Sequence, residues 1–232
     1  MKKKPLKIII IIITAILLLI SAFFITRLFE SKEDKALRGM NDIIREYMPA
    51  KIGGIVDLVQ SFDPGLYKYE DDKLIIINAE ESGMELSDAL TAIGKMNVVL
   101  DEYIRQNEIL SDEDTEIEIR IECWANWSIT LMPKTKSIIL GVSSDENPFR
   151  EEILGQCIEY KSIDLGGYWA QDVIVPDDID SSFFSSFTNL ESLNIDWIKT
   201  DSMKELLDKA LEGLPETCTD INTEVRRSYS GE

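Results

Sequence analysis

The chain has 232 residues, with 43 Asp+Glu against 24 Lys+Arg and a formal net charge of −19 at pH 7. That balance argues against a nucleic-acid ligand, because gripping a phosphate backbone takes basic residues that displace its counterions. There is no histidine, which removes Ser–His and Cys–His catalysis, histidine-ligated zinc and a histidine pH switch.

From Ile8 to Ile25 the chain reads IIIIIITAILLLISAFFI, a run without a charge, and Leu28 and Phe29 extend it. At about 1.5 Å per residue such a run approaches the thickness of a bilayer's hydrocarbon core. It is longer than the apolar core of a signal peptide, no Ala-x-Ala-like cleavage site follows it, and no cysteine is placed for lipidation. The reading is a single-pass signal-anchor, with the lipid bilayer as partner of residues 8–29. Lys2, Lys3, Lys4 and Lys7 stand before the run and Arg27, Lys32, Lys35 and Arg38 after it. The counts tie, and the denser basic leader favours a cytoplasmic N-terminus and an extracytoplasmic domain. The domain plan is a leader and anchor over 1–30, a juxtamembrane helix over 31–48, an α+β region over 49–134 and strand–helix units over 135–232.

Leu37, Met40, Ile44 and Tyr47 recur at helical spacing, and Pro49 stops them. Leu66–Tyr69 and Leu74–Ile77 flank Glu70-Asp71-Asp72-Lys73 as a β-hairpin. Ser82-x-x-Glu85 has the form of a capping box ahead of Leu86, Leu90, Ile93, Met96, Leu100 and Ile104, which predicts a long amphipathic helix over about 83–106. Ile117, Ile119 and Ile121 alternate with Glu118, Arg120 and Glu122, so one face of that strand is wet. A second strand is expected near Ser128–Met132, with a turn through Pro133-Lys134-Thr135-Lys136. Asn147-Pro148 and Ser202-x-x-Glu205 mark two further helix starts, and Gly213 with Pro215 marks a helix end. Cys123, Cys157 and Cys218 lack any C-x-x-C spacing and read as buried free thiols, the alternative being one disulfide with a cysteine left over.

Four runs resemble one another: TKSIIL (Thr135–Leu140), YKSIDL (Tyr160–Leu165), LESLNI (Leu190–Ile195) and CTDINT (Cys218–Thr223). Their equivalent apolar positions are Ile138, Ile163, Leu193 and Ile221, with helix candidates between consecutive runs. FTNLESLNI and ALEGLPETCTDINT resemble leucine-rich repeats of the helix-containing type. The resemblance covers the last hundred or so residues and implies one short parallel strand and one helix per unit. The asparagine that follows the strand in that family is absent; Gly167-Tyr168 and Trp197-Ile198 stand at the turn. An ordinary α/β or α+β layer carries the same apolar alternation.

Two acidic clusters, Asp112-Glu113-Asp114 and Asp177-Asp178 with Asp180, lack EF-hand spacing and read as solvated loops. Nothing selects a catalytic carboxylate pair, a metal site or a cofactor. Tyr168, Trp169 and Trp197 follow the ends of expected strands, where bulky aromatics serve as anchors for a protein partner. The functional expectation is a membrane-anchored, extracytoplasmic protein-binding module without catalysis. The competing readings are an immunity-type protein that neutralises a basic toxin, since charge complementarity speeds capture, and a hydrolase working through carboxylates alone.

Overall fold

A computed structural model describes residues 12–18, 21, 30–48, 66–68, 74–81, 84–123, 127–142, 148–166, 175–195, 198 and 200–223. Residues 1–39 and residues 40–232 form two separate units. In the first, residues 12–18 and Ser21 are helical, and the Ser21 hydroxyl donates to the Leu17 carbonyl at 2.7 Å. Among the described residues no helix is long and apolar enough to cross a membrane. The expected single-pass anchor over 8–29, and the topology built on it, are therefore corrected and carried no further; the rest of the run lies outside the described residues.

Helix α1 (Lys32–Tyr47) crosses the boundary between the units. The Ser31 hydroxyl accepts from the Asp34 N–H at 3.0 Å, capping its start. Arg38 grips the Glu30 carboxylate through Nε at 2.8 Å and a terminal nitrogen at 2.7 Å. Beyond Gly39, Met40, Ile44 and Met48 are buried at helical spacing.

The second unit is built on one mixed sheet whose eight strands follow chain order across it. Strand β1 (Leu66–Lys68) pairs antiparallel with β2 (Leu74–Glu81), forming the expected hairpin. Helix α2 (Leu86–Gln106) then carries the chain over to β3 (Glu116–Cys123), which lies parallel to β2. Strands β4 (Trp127–Met132) and β5 (Ser137–Val142) continue antiparallel. After them come β6 (Ser162–Asp164), β7 (Ser192–Asn194) and β8 (Asp220–Asn222), all parallel to β5. The sheet thus runs unbroken through the boundary expected at 134/135.

Helix α2 turns one stripe inward, with Leu86, Ala89, Leu90, Ile93, Met96, Leu100 and Ile104 all buried. Strands β3, β4 and β5 alternate, burying Ile117, Ile119, Ile121, Ile129, Leu131, Ile138 and Leu140 on one face. Two ties hold α2 to that face. The Trp127 indole N–H donates to the Met84 carbonyl at 2.9 Å, and the Lys136 ammonium pairs with Asp101. Among the described residues no side chain caps the start of α2: Glu85 sits at the N-cap without a side-chain hydrogen bond, and Ser82 lies outside the described residues. The expected capping box is corrected accordingly.

The connections after β5 differ from one another. Between β5 and β6 lie the short helix α3 (Glu151–Leu154) and a 3-10 turn, Gly155–Cys157. Pro148 stands in a turn ahead of α3 rather than at its first position, and Asn147 lies outside the described residues. Between β6 and β7 the expected helix is replaced, among the described residues, by successive turns. There the N–H groups of Ile179, Phe183, Phe187 and Leu190 each donate three residues back. Between β7 and β8 runs helix α4 (Asp201–Leu211), capped by the Thr200 hydroxyl, which accepts from the Met203 N–H at 3.2 Å. The cap falls on Thr200, not on Ser202. Past its end, a Cβ on Gly213 would stand 1.6 Å from the Ser181 carbonyl oxygen. Glycine is needed there because two backbones meet.

Candidate functional site

The four similar runs become neighbouring rungs. Ile138, Ile163, Leu193 and Ile221 are successive Cα partners across β5, β6, β7 and β8. Each step opens in the same way. The Lys136 carbonyl accepts from the N–H groups of Lys161 (2.8 Å) and Ser162 (3.3 Å). The Lys161 carbonyl likewise accepts from Glu191 (2.7 Å) and Ser192 (3.0 Å), and the Glu191 carbonyl from Thr219 (3.1 Å) and Asp220 (3.3 Å). Lys136 takes a left-handed φ of 54° to start the series, a conformation a non-glycine residue holds at a cost of about 1 kcal/mol.

On the face opposite the apolar rungs, polar residues line up. One row is Ser137, Ser162, Ser192 and Asp220, and the next is Asp164, Asn194 and Asn222, which continues from the apolar Ile139 of β5. Asn222 donates its amide to the Asn194 side-chain oxygen at 2.8 Å, and Asn194 donates to Asp164 at 2.9 Å. Asp164 also accepts from the Gly166 N–H at 2.6 Å. Ser192 donates to Asp220 at 3.1 Å, and Lys161 reaches Glu191 at 2.7 Å. The Asn194 amide both gives and receives, so the ladder fixes that side chain's direction. The same face continues over β3 and β4 with Glu116, Glu118, Arg120, Glu122, Ser128 and Thr130, all exposed or half-exposed. Arg120 meets Glu118 at 2.6 Å. Acidic side chains outnumber basic ones there, leaving a negative surface.

The aromatic residues divide. Phe184 and Phe187 are fully buried, with ring centroids 5.5 Å apart, and Phe183 packs edge-on against Phe184 at 5.0 Å. Phe184 and Phe187 belong to the core, while Phe183 is half-buried. Tyr168, Trp169 and Trp197, the expected anchors, lie outside the described residues.

The acidic loops are closed by local bonds. Asp112 accepts from the Asp114 N–H at 3.0 Å, and the Lys134 ammonium donates to the Asp112 and Thr115 carbonyls. The Ser182 hydroxyl and N–H hold the Asp180 carboxyl below its usual range. Among the described residues no group of three or more acidic or cysteine side chains is placed to hold a metal ion. Cys123, Cys157 and Cys218 are free and buried. Burial pushes the Cys157 thiol up to about 12, leaving it protonated and unreactive at neutral pH. Burial likewise raises the Tyr160 hydroxyl, which accepts from the Asn97 amide at 2.8 Å.

A cavity of about 60 Å³ lies between α2 and the Gln156–Tyr160 segment, with Gly94, Asn97, Asp101 and Lys136 on its rim. Pockets for small organic ligands run from roughly 300 Å³ upward, so this one holds a few waters at most.

The Asp164–Asn194–Asn222 ladder was not singled out by sequence reasoning, although its signal was present. In SIDL, SLNI and DINT a hydrogen-bonding residue follows the aligned apolar position each time. No family model, no curated protein and no solved structure matches this chain.

Proposed function

We propose that the chain is a protein-binding module whose interface is the open face of the β3–β8 sheet, with a basic protein as its partner. One observation carries the reading. Across the parallel rungs one face is packed, while the other presents an ordered, negatively charged polar ladder that no described element covers. A pre-ordered ladder loses little side-chain entropy on contact, and a net charge of −19 steers a basic partner toward it. The resemblance to helix-containing leucine-rich repeats belongs to the same reading, since stacked units present extended binding surfaces. Its support is the shared register of Ile138, Ile163, Leu193 and Ile221. Capture of a basic toxin is the narrower form, favoured by the same charge. Tyr168, Trp169 and Trp197, outside the described residues, stay proposed as partner anchors.

The test is affinity capture with the full chain, cross-linked before lysis, followed by titration of whatever is recovered in near-equal amount. Asp164→Arg and Asn194→Arg should each weaken that complex by about tenfold or more, and added salt should weaken it further. Alanine at Tyr168, Trp169 and Trp197 together should lower affinity with the fold retained. A complex indifferent to all of these changes and to salt would remove the open face from consideration.

A further inference from the structure

The apolar rung changes character at its last step. Ile138, Ile163 and Leu193 are at most 1% exposed, yet Ile221 is 44% exposed. Strand β8 is the outer strand of the sheet, so nothing among the described residues stands beyond it. The hydrogen-bond alternation of a parallel ladder fixes which groups point outward. The Asn222 carbonyl accepts from the Ile195 N–H at 2.8 Å and the Asp220 N–H turns to Glu191, so both residues bond inward to β7. Ile221, between them, directs its N–H and C=O to the free edge. An edge of this kind is a template for another strand.

We infer that β8 pairs antiparallel with β8 of a second copy of this chain about a two-fold axis centred on Ile221, joining two sheets into one. The sequence of the edge is self-complementary in that register. Ile221 faces Ile221 of the other copy, exchanging two backbone hydrogen bonds and covering both exposed side chains. Asp220 of each copy then faces Asn222 of the other, and this pair has the closer side-chain spacing of an antiparallel ladder. The contact repeats chemistry the ladder already uses, an Asn amide donating to an Asp carboxylate, as Asn194 does to Asp164 at 2.9 Å. Asn222 spends one amide hydrogen on Asn194 and keeps the other for that carboxylate. A two-fold interface needs just such a patch, complementary to itself.

Charge opposes the association, because each copy carries −19, and a three-residue strand buries little surface. The dimer is consequently weak and favoured by salt. Binding of a basic partner responds to salt in the opposite sense, so the two ideas fail separately. Sedimentation equilibrium of the full chain, at about 20 mM and about 500 mM salt, spans a fall in screening length from roughly 20 Å to 4 Å. The expected result is a monomer–dimer equilibrium that shifts toward dimer as salt rises. Ile221→Asp should weaken it about tenfold or more, with circular dichroism unchanged because the side chain is already exposed. Asn222→Lys should strengthen it several-fold by facing Asp220 across the axis. A chain that stays monomeric at high salt, or a dimer indifferent to both variants, overturns the inference.

Discussion

Strands β2, β3, β4 and β5 contribute eight, eight, six and six residues, whereas β6, β7 and β8 contribute three each. The long strands hold each other through extended ladders, and a 21-residue helix connects two of them. Strands of three residues give too few ladder bonds to stand alone. Their stability comes from what each connection buries: Phe184, Phe187 and Leu190 ahead of β7, and Leu207, Ala210 and Cys218 ahead of β8. One half of the sheet is thus held by its strands. In the other half, the connections hold the strands.

Three perturbations break or sharpen that contrast. The largest effect is expected at Phe184, fully buried and packed against two other rings. Phe184→Ala should cost about 3–5 kcal/mol in urea unfolding. Hydrogen exchange should speed at β6–β8 before β3–β5, and a uniform loss across the sheet would deny the contrast. Next comes the rung itself. Ile163→Ala should cost about 2–4 kcal/mol, while Ile221→Ala, half in solvent, should cost less than about 1 kcal/mol. Equal costs would mean that the outer strand is as enclosed as the inner ones.

The smallest is a pH effect. The folded Cys157 thiol is pushed from 9.0 up to about 12 by burial, and the Tyr160 hydroxyl is raised from 10.0. A raised acid contributes stability that is complete below its unfolded value and lost as pH climbs toward the folded one. Unfolding free energy should therefore fall above pH 9 by about 1.4 kcal/mol per pH unit for each group titrating only in the unfolded chain. Cys157→Ala should flatten the lower part of that slope, and an unchanged slope would mean that the thiol is not enclosed.

Much of the second unit was legible because apolar periodicity survives any choice of partner. The wet and dry faces of β3, the stripe of α2 and the alignment of Ile138, Ile163, Leu193 and Ile221 all follow from it. Capping was legible only in part. Ser82-x-x-Glu85 and Ser202-x-x-Glu205 share the spacing of a capping box, yet Glu85 itself stands at the N-cap of α2 without a side-chain bond and α4 is capped by Thr200. A hydroxyl caps only where the chain turns extended just before the first helical residue, and spacing does not record where that happens. A helix was expected between the runs that became β6 and β7, where the described residues form turns, and a membrane span near the N-terminus, where no described helix is long and apolar enough to cross a bilayer.

By itself the sequence determined the acidic charge, the absence of imidazole chemistry, the amphipathic stripe and the four equivalent rungs, since each is a property of residue type and spacing. The tertiary structure alone decided that β3 runs parallel to β2 and that one sheet passes through both halves. It also decided that Asp164, Asn194 and Asn222 bond into a ladder and that Ile221 is left at an open edge. A period of two says which face a residue takes. It says nothing of the strand beside it, and partners and edges are settled only when distant segments meet.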